Sequence, residues 1–162
     1  MGVRVVATYA PEGNAMRKLQ ETIEIARPIE EAFDEIADFS TTARWDPGVV
    51  EARRLDDAEI GVGSRFEIGA GFNGRRLPIV YEIVEYERPT RVVLRGAGPN
   101  FQGLDEITCT REGDTHTRID YVADLRLTGL ARLAEPLWGG RFDRMGKDTV
   151  RGLKRHLEGR TV

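Results

Sequence analysis

From Leu19 to Ala26 hydrophobic and polar residues take turns, with Leu19, Glu21, Ile23 and Ile25 in one row and Gln20, Thr22, Glu24 and Ala26 in the other. A period of two predicts a β-strand with one buried face. The period then changes. Ile29, Ala32, Phe33, Ile36 and Ala37 recur at three- and four-residue intervals, which predicts a short helix with a single apolar stripe. Pro28 suits its first position, and Glu30 and Glu31 favour the positive end of the helix dipole. Asp38, Ser40, Thr41 and Thr42 carry side-chain oxygens that compete with helical bonding, so the helix stops and a second short turn follows before Trp45, Asp46 and Pro47.

Alternation returns afterwards and persists. "GVVEARRL" reads as a brief strand, and "SRFEIGAGFNGRRLPIVYEIVEYE" as a long hairpin turned at Asn73-Gly74, the strongest short hairpin signal. "VVLRG", "FQGLDEITCTR" and "THTRIDYVADLRL" follow through the turns "GAGPN" and "EGD". From about Gly129 to Gly159 the pattern is helical, with Leu130, Leu133, Leu137, Phe142, Met145, Thr149 and Leu153 at helical spacing. Strands joined by short turns pair antiparallel, and their apolar face needs a cover. A helix from Pro136 to Leu157 would reach roughly 30 Å, enough to supply it. The fold class is therefore α+β: one strand, two short helices, six more strands and a long C-terminal helix.

Alternation also assigns faces. Ile119, Tyr121, Ala123, Leu125 and Leu127 should point inward, opposite Arg118, Asp120 and Asp124. Phe66 and Ile68 should do so opposite Arg65 and Glu67, and Leu77, Ile79, Tyr81 and Ile83 form another apolar row. The opposite row of that strand, with Val80, Val84 and Tyr86, is half apolar as well, and a homodimer contact is one reading of it. In "LDEITC" both rows are mixed, so the inward member of Asp105 and Glu106 stays open.

Composition narrows the function classes. The chain has 162 residues, 40% hydrophobic and 31% charged, the size and balance of one domain that buries its own core. A net charge of −3 gives no global argument for nucleic acid. No apolar run approaches the roughly 20 residues of a membrane span. A lone cysteine, Cys109, fits a reducing compartment, and the expected location is cytoplasmic. In "MGVRVVATYAPEGNAM" Arg4 interrupts an apolar stretch too short for a signal peptide. Residues 1–15 read as an N-terminal extension, and 16–162 as a single domain.

The phrases "ARPIEEAFDEIADFSTTARWDP", "GVGSRFEI", "YEIVEYERPTRVVLRG" and "LKRHLE", in this order, resemble the START-related (SRPBCC) superfamily in its polyketide cyclase/dehydrase-like branch, over residues 18–159. The resemblance implies a helix-grip fold, in which a curved antiparallel sheet of about seven strands wraps around the C-terminal helix. It also implies a cavity for an apolar or amphipathic ligand between sheet and helix, with Trp45 near it. Joined to the inward rows, it gives as ligand-binding candidates Trp45, Phe66, Ile68, Ile79, Tyr81, Tyr121, Ala123, Leu137, Arg141 and Met145.

Three functions follow as expectations. The favoured one is a carrier or sequestering protein for a small hydrophobic or aromatic ligand, lipid- or polyketide-like. The alternative is a cyclase or dehydratase acting in the same cavity. Its catalytic candidates are Tyr81, Tyr121, Arg141 and Glu106, the last standing for whichever of Asp105 and Glu106 faces in. The third is a regulatory protein with a filled core, whose basic C-terminal helix binds a partner. An enzyme needs at least two polar side chains converging in the cavity, whereas a carrier needs mainly volume.

Other motifs carry less. "GAGFNG" matches G-x-G-x-x-G, but a strand rather than a helix follows, so it reads as a tight hairpin and no dinucleotide is expected. His116 and His156 lack neighbours at ligand spacing and read as surface residues, so no metal or other cofactor is expected. Cys109 reads as a buried structural thiol. Gly139 and Gly146 in the long helix signal either close packing or room left in the cavity.

Overall fold

Each predicted alternation is a strand in the computed structural model, which describes residues 17–72, 74–131, 133 and 139–159, the side chains of 17, 72 and 139–143 lying outside that description. The chain runs β1 (Arg17–Ile25), α1 (Ile29–Ala37), a 3-10 helix (Phe39–Arg44), β2 (Val49–Arg54), β3 (Arg65–Phe72), β4 (Arg75–Glu87), β5 (Arg91–Gly98), β6 (Phe101–Arg111), β7 (Thr117–Leu127) and α2 (Gly139–Gly159). The extension at 1–15, Asn73 and Leu137 lie outside the described residues, as does the side chain of Arg141.

All seven strands form one curled antiparallel sheet in the order β1-β7-β6-β5-β4-β3-β2. Each of β2 to β7 pairs with its neighbour in sequence, as short turns require. β1 pairs instead with β7, from Arg17 opposite Leu125 to Ile25 opposite Thr117. The chain must therefore cross from one edge of the sheet to the other between β1 and β2, and α1 with the 3-10 helix makes that crossing. This is why a short amphipathic helix stands at this point of the sequence.

Its stripe is the plug of the core. Ile29, Ala32, Phe33, Ile36 and Ala37 are all buried, and Phe33 meets Tyr86 edge-on with ring centroids 5.4 Å apart. The start differs by one residue from expectation. Pro28 is the N-cap with extended ψ, and its carbonyl accepts the first helical bond, from Ala32 N at 3.0 Å. Asp38 then ends α1 and caps the 3-10 helix, accepting from Ser40 N at 3.0 Å.

Three corrections come from packing. Tyr86 does not lie in an outer row. A β-bulge between Ile83 and Glu85 shifts the register, so Ile83 stands opposite Leu94 and Tyr86 opposite Val92, on one face. That explains part of the half-apolar row without a dimer. Leu130 and Leu133 are 85% and 81% exposed and so lie off the buried stripe. They belong to 3-10 geometry at 129–131 and 133, while α2 begins at Gly139, so one helical period does not run through both. His156 is not a surface residue: its Nε2 is 2.6 Å from Glu35 Oε1, which ties α2 to α1.

α2 packs along β1 and buries Val150, Leu153 and Leu157. Two of its glycines have different uses. A Cβ on Gly152 would stand 1.8 Å from the Trp45 carbonyl oxygen, so the helix and the turn before β2 approach to backbone contact there. A Cβ on Gly146 would meet Leu19 at an ordinary 3.5 Å. Cys109 is buried, as expected, and burial pushes its thiol up to about 12, which makes it inert at neutral pH.

Candidate functional site

Between the concave face of the sheet and α2 lies a cavity of about 650 Å³. Its wall is mainly aliphatic and aromatic. Ile68, Ile79, Tyr81, Tyr121, Ala123 and Met145 border it, joined by Trp45 and Asp46 from the turn before β2. The bordering residues that are exposed are Gly71, Arg75, Leu77 and Pro78 of the β3–β4 hairpin, Pro99 and Asn100 of the β5–β6 turn, and Met145 on α2. The cavity opens there. Phe66, fully buried, is not among the bordering residues and lies beneath them.

Pairing across the sheet settles the face of β6. Asp105 stands between Leu94 of β5 and Ala123 of β7, both buried inward residues, so it points into the cavity with only 4% exposure. Glu106 is a correction to the candidate set. It lies on the outer face, where the Arg91 guanidinium donates to its Oε1 at 3.2 Å and also pairs with Glu85.

Asp105 and Tyr121 form the polar centre. The Tyr121 hydroxyl donates to Asp105 Oδ2 at 2.6 Å, whereas Asp105 Oδ1 is buried and has no partner among the described residues. Loss of water around the carboxyl pushes its pKa up to about 7. The Tyr121 bond works against that rise, and the charges of Asp46 and Asp124 add to it. Burial likewise pushes the Tyr121 phenol well above its ordinary value, and the nearby Asp105 charge pushes it further. The phenol therefore stays a donor.

Tyr81 is held differently. Its ring lies over Gly96, where an added Cβ would stand 2.7 Å from the ring, and Phe39 meets it edge-on at 5.2 Å. Glycine is needed at 96 because the tyrosine occupies that space. The Tyr81 hydroxyl has no hydrogen-bond partner among the described residues, and burial with the Asp105 and Asp46 charges raises its pKa well above the ordinary phenol value.

Trp45 is buried, its indole N–H donating to Thr41 Oγ1 at 3.1 Å, so the ring is fixed as part of the wall. Asp46 satisfies a loop amide, accepting from Gly48 N at 2.8 Å, but it also borders the cavity beside Thr149, and burial raises its pKa. Glu21, inward on β1 opposite Tyr121, is a third carboxylate on the wall. From the sequence Asp46 is an acid–base candidate set aside as an acceptor for loop amides, a role it does fill while also bordering the cavity. Sequence reasoning passed over Glu21, for which the inward row Leu19-Glu21-Ile23-Ile25 was the available signal. Among the described residues no group of His, Cys, Asp and Glu could hold a metal ion.

Residues 16–158 match the family model described as polyketide cyclase / dehydrase and lipid transport. Among solved structures, the Zhui aromatase/cyclase from Streptomyces sp. R1128 is similar, with a TM-score of 0.75 at 12% identity, covering 91% of this chain and 97% of that one. A START superfamily protein from Mycobacterium smegmatis gives 0.69 at 17% identity, over 90% and 97%. A protein of Thermus thermophilus gives 0.75 at 15% identity, over 90% and 100%. A search of curated protein sequences finds no match. Identities this low speak for a shared helix-grip fold and leave the chemistry to the site.

Proposed function

Because the chain belongs to the polyketide cyclase/dehydrase and lipid transport family, we propose that it binds a small, mainly apolar or aromatic ligand in the cavity between sheet and α2. The observation that carries this reading is the void itself. About 650 Å³ lies within the roughly 300–1,000 Å³ typical of ligand pockets, and a domain without a guest would gain by filling it. The hollow interior counts against a regulatory protein with a filled core. Native mass spectrometry of the purified protein tests the proposal: a retained small molecule of a few hundred daltons is expected. Failure to retain or take up any apolar compound would overturn it.

A second reading, acid–base catalysis, is favoured by one specific contact, the Tyr121–Asp105 bond inside the void. A carboxyl with a pKa of about 7 is suited to moving protons near neutrality. In a dehydration, the ionised Asp105 would take a proton from a carbon beside a carbonyl. The C–O bond to a β-hydroxyl would then break, and the hydroxyl would leave as water with a proton from the Tyr81 phenol, which Asp105 later restores. Tyr81→Phe separates the readings. A carrier should lose no more than about tenfold in affinity, the worth of one net hydrogen bond, whereas an enzyme should lose about a hundredfold or more in turnover.

A further inference from the structure

A second, smaller space of about 380 Å³ shares Trp45 and Asp46 with the larger cavity as bordering residues. It flanks the place where α2 meets the turn before β2, Gly152 against the Trp45 carbonyl. Three basic residues border it as well, Arg44, Arg155 and His156. Arg155 and His156 follow Gly152 by three and four residues, so they lie one turn further along the same face of α2. Arg44 ends the 3-10 helix, immediately before Trp45. The backbone contact at Gly152 therefore brings Arg44 and Arg155, both exposed, to the edges of one groove.

The carboxylates around this groove are committed to other groups. Glu35 meets His156 Nε2 at 2.6 Å, Asp38 accepts from Ser40 N and Oγ, and Asp46 accepts from Gly48 N. The Arg44 and Arg155 side chains have no ion-pair or hydrogen-bond partner among the described residues. Two guanidiniums gathered without a counter-charge favour an anion between them, and the N–H groups of each match the oxygens of a phosphate two at a time. Going beyond the reading of the larger cavity, and independent of it, we propose that this groove is a second binding site, for a phosphate group held between Arg44 and Arg155. Asp46, on the same border, offsets part of the positive charge, so both arginines are needed. The phosphate can be a free ion or a lipid headgroup, since the chemistry at the arginines is the same.

Isothermal titration of the full chain at pH 7.5 with inorganic phosphate, and with acetate as a singly charged comparison, tests the site. Phosphate should bind with a Kd of about 1 mM or tighter, and about tenfold or more tighter than acetate. Arg44→Gln and Arg155→Gln should each weaken phosphate about fivefold or more. Arg151→Gln, exposed on the same helix but off the groove, should leave phosphate binding unchanged. Co-sedimentation with vesicles of phosphatidylcholine, alone or with added phosphatidic acid, separates the two sources. Capture that needs phosphatidic acid and is lost in both groove variants assigns a lipid headgroup; phosphate binding without capture assigns the free ion. No phosphate binding, equal affinity for acetate, or a fall in Arg151→Gln as large as in the groove variants would rule the site out. Each of these results leaves the reading of the larger cavity standing, because retention of an apolar compound is measured separately.

Discussion

Single atoms decide several properties of this protein. At Gly152 the helix passes so close to the Trp45 carbonyl that one methyl group has no place to go, because the obstacle is backbone. Gly152→Ala should cost about 3 kcal/mol, the upper part of the range for overpacking, whereas Gly61→Ala, with nothing within 4 Å of the new Cβ, should be near neutral. Urea unfolding of both variants checks the contrast. At Asp105 the carboxyl sits at about 7 against 3.8 for an ordinary aspartate. Between those values the native protein holds a proton that the unfolded chain has released. Its contribution to stability therefore falls as pH rises from about 4 to about 7, by about 4 kcal/mol, and is level above that. Asp105→Asn should remove this slope. The difference between wild-type and variant unfolding free energies, followed from pH 4 to 8, should change across that window; a flat difference would mean that Asp105 titrates normally.

At the scale of elements, α1 and the 3-10 helix join the two edges of the sheet and close its end. Phe33, fully buried against Tyr86, is the largest apolar residue on the α1 stripe. Phe33→Ala should destabilise the fold by about 3–5 kcal/mol, read from chemical unfolding. The stripe was fully legible in the sequence, since its period depends only on local helix geometry. So were all seven strands, whose turns and alternation are equally local. What alternation could not see was the bulge after Ile83, which turns Tyr86 inward and which depends on the partner strand. Nor could a helical period tell that Leu130 and Leu133 stand outside α2, since spacing survives in a sequence even where the backbone changes geometry.

For the whole molecule the cavity is the property that matters, and it is a difference between large volumes. Ala123, one of its smallest wall residues, is buried on β7 beside Asp105. Ala123→Phe should lower affinity for 2-naphthol about tenfold or more by occupying the space, while unfolding stability should hold or rise because the added ring fills a void. Loss of stability with unchanged binding would mean that the ring displaces the wall rather than the guest. The basic residues on the solvent side of α2, among them Arg144, Lys147 and Arg151, are exposed and read as its solvated back.

The sequence by itself determined the elements, their order and the inward faces of β3, β4 and β7, because period and turn chemistry act over a few residues. It also drew Tyr81 and Tyr121 as inward groups. Only the tertiary structure decided that Asp105 and not Glu106 meets Tyr121, that Asp46 and Glu21 share the same wall, and that one Asp105 oxygen is buried without a partner among the described residues. Those facts depend on strands brought together from positions as far apart as 21 and 121, and on how closely α2 lies over them. No local pattern encodes such distances.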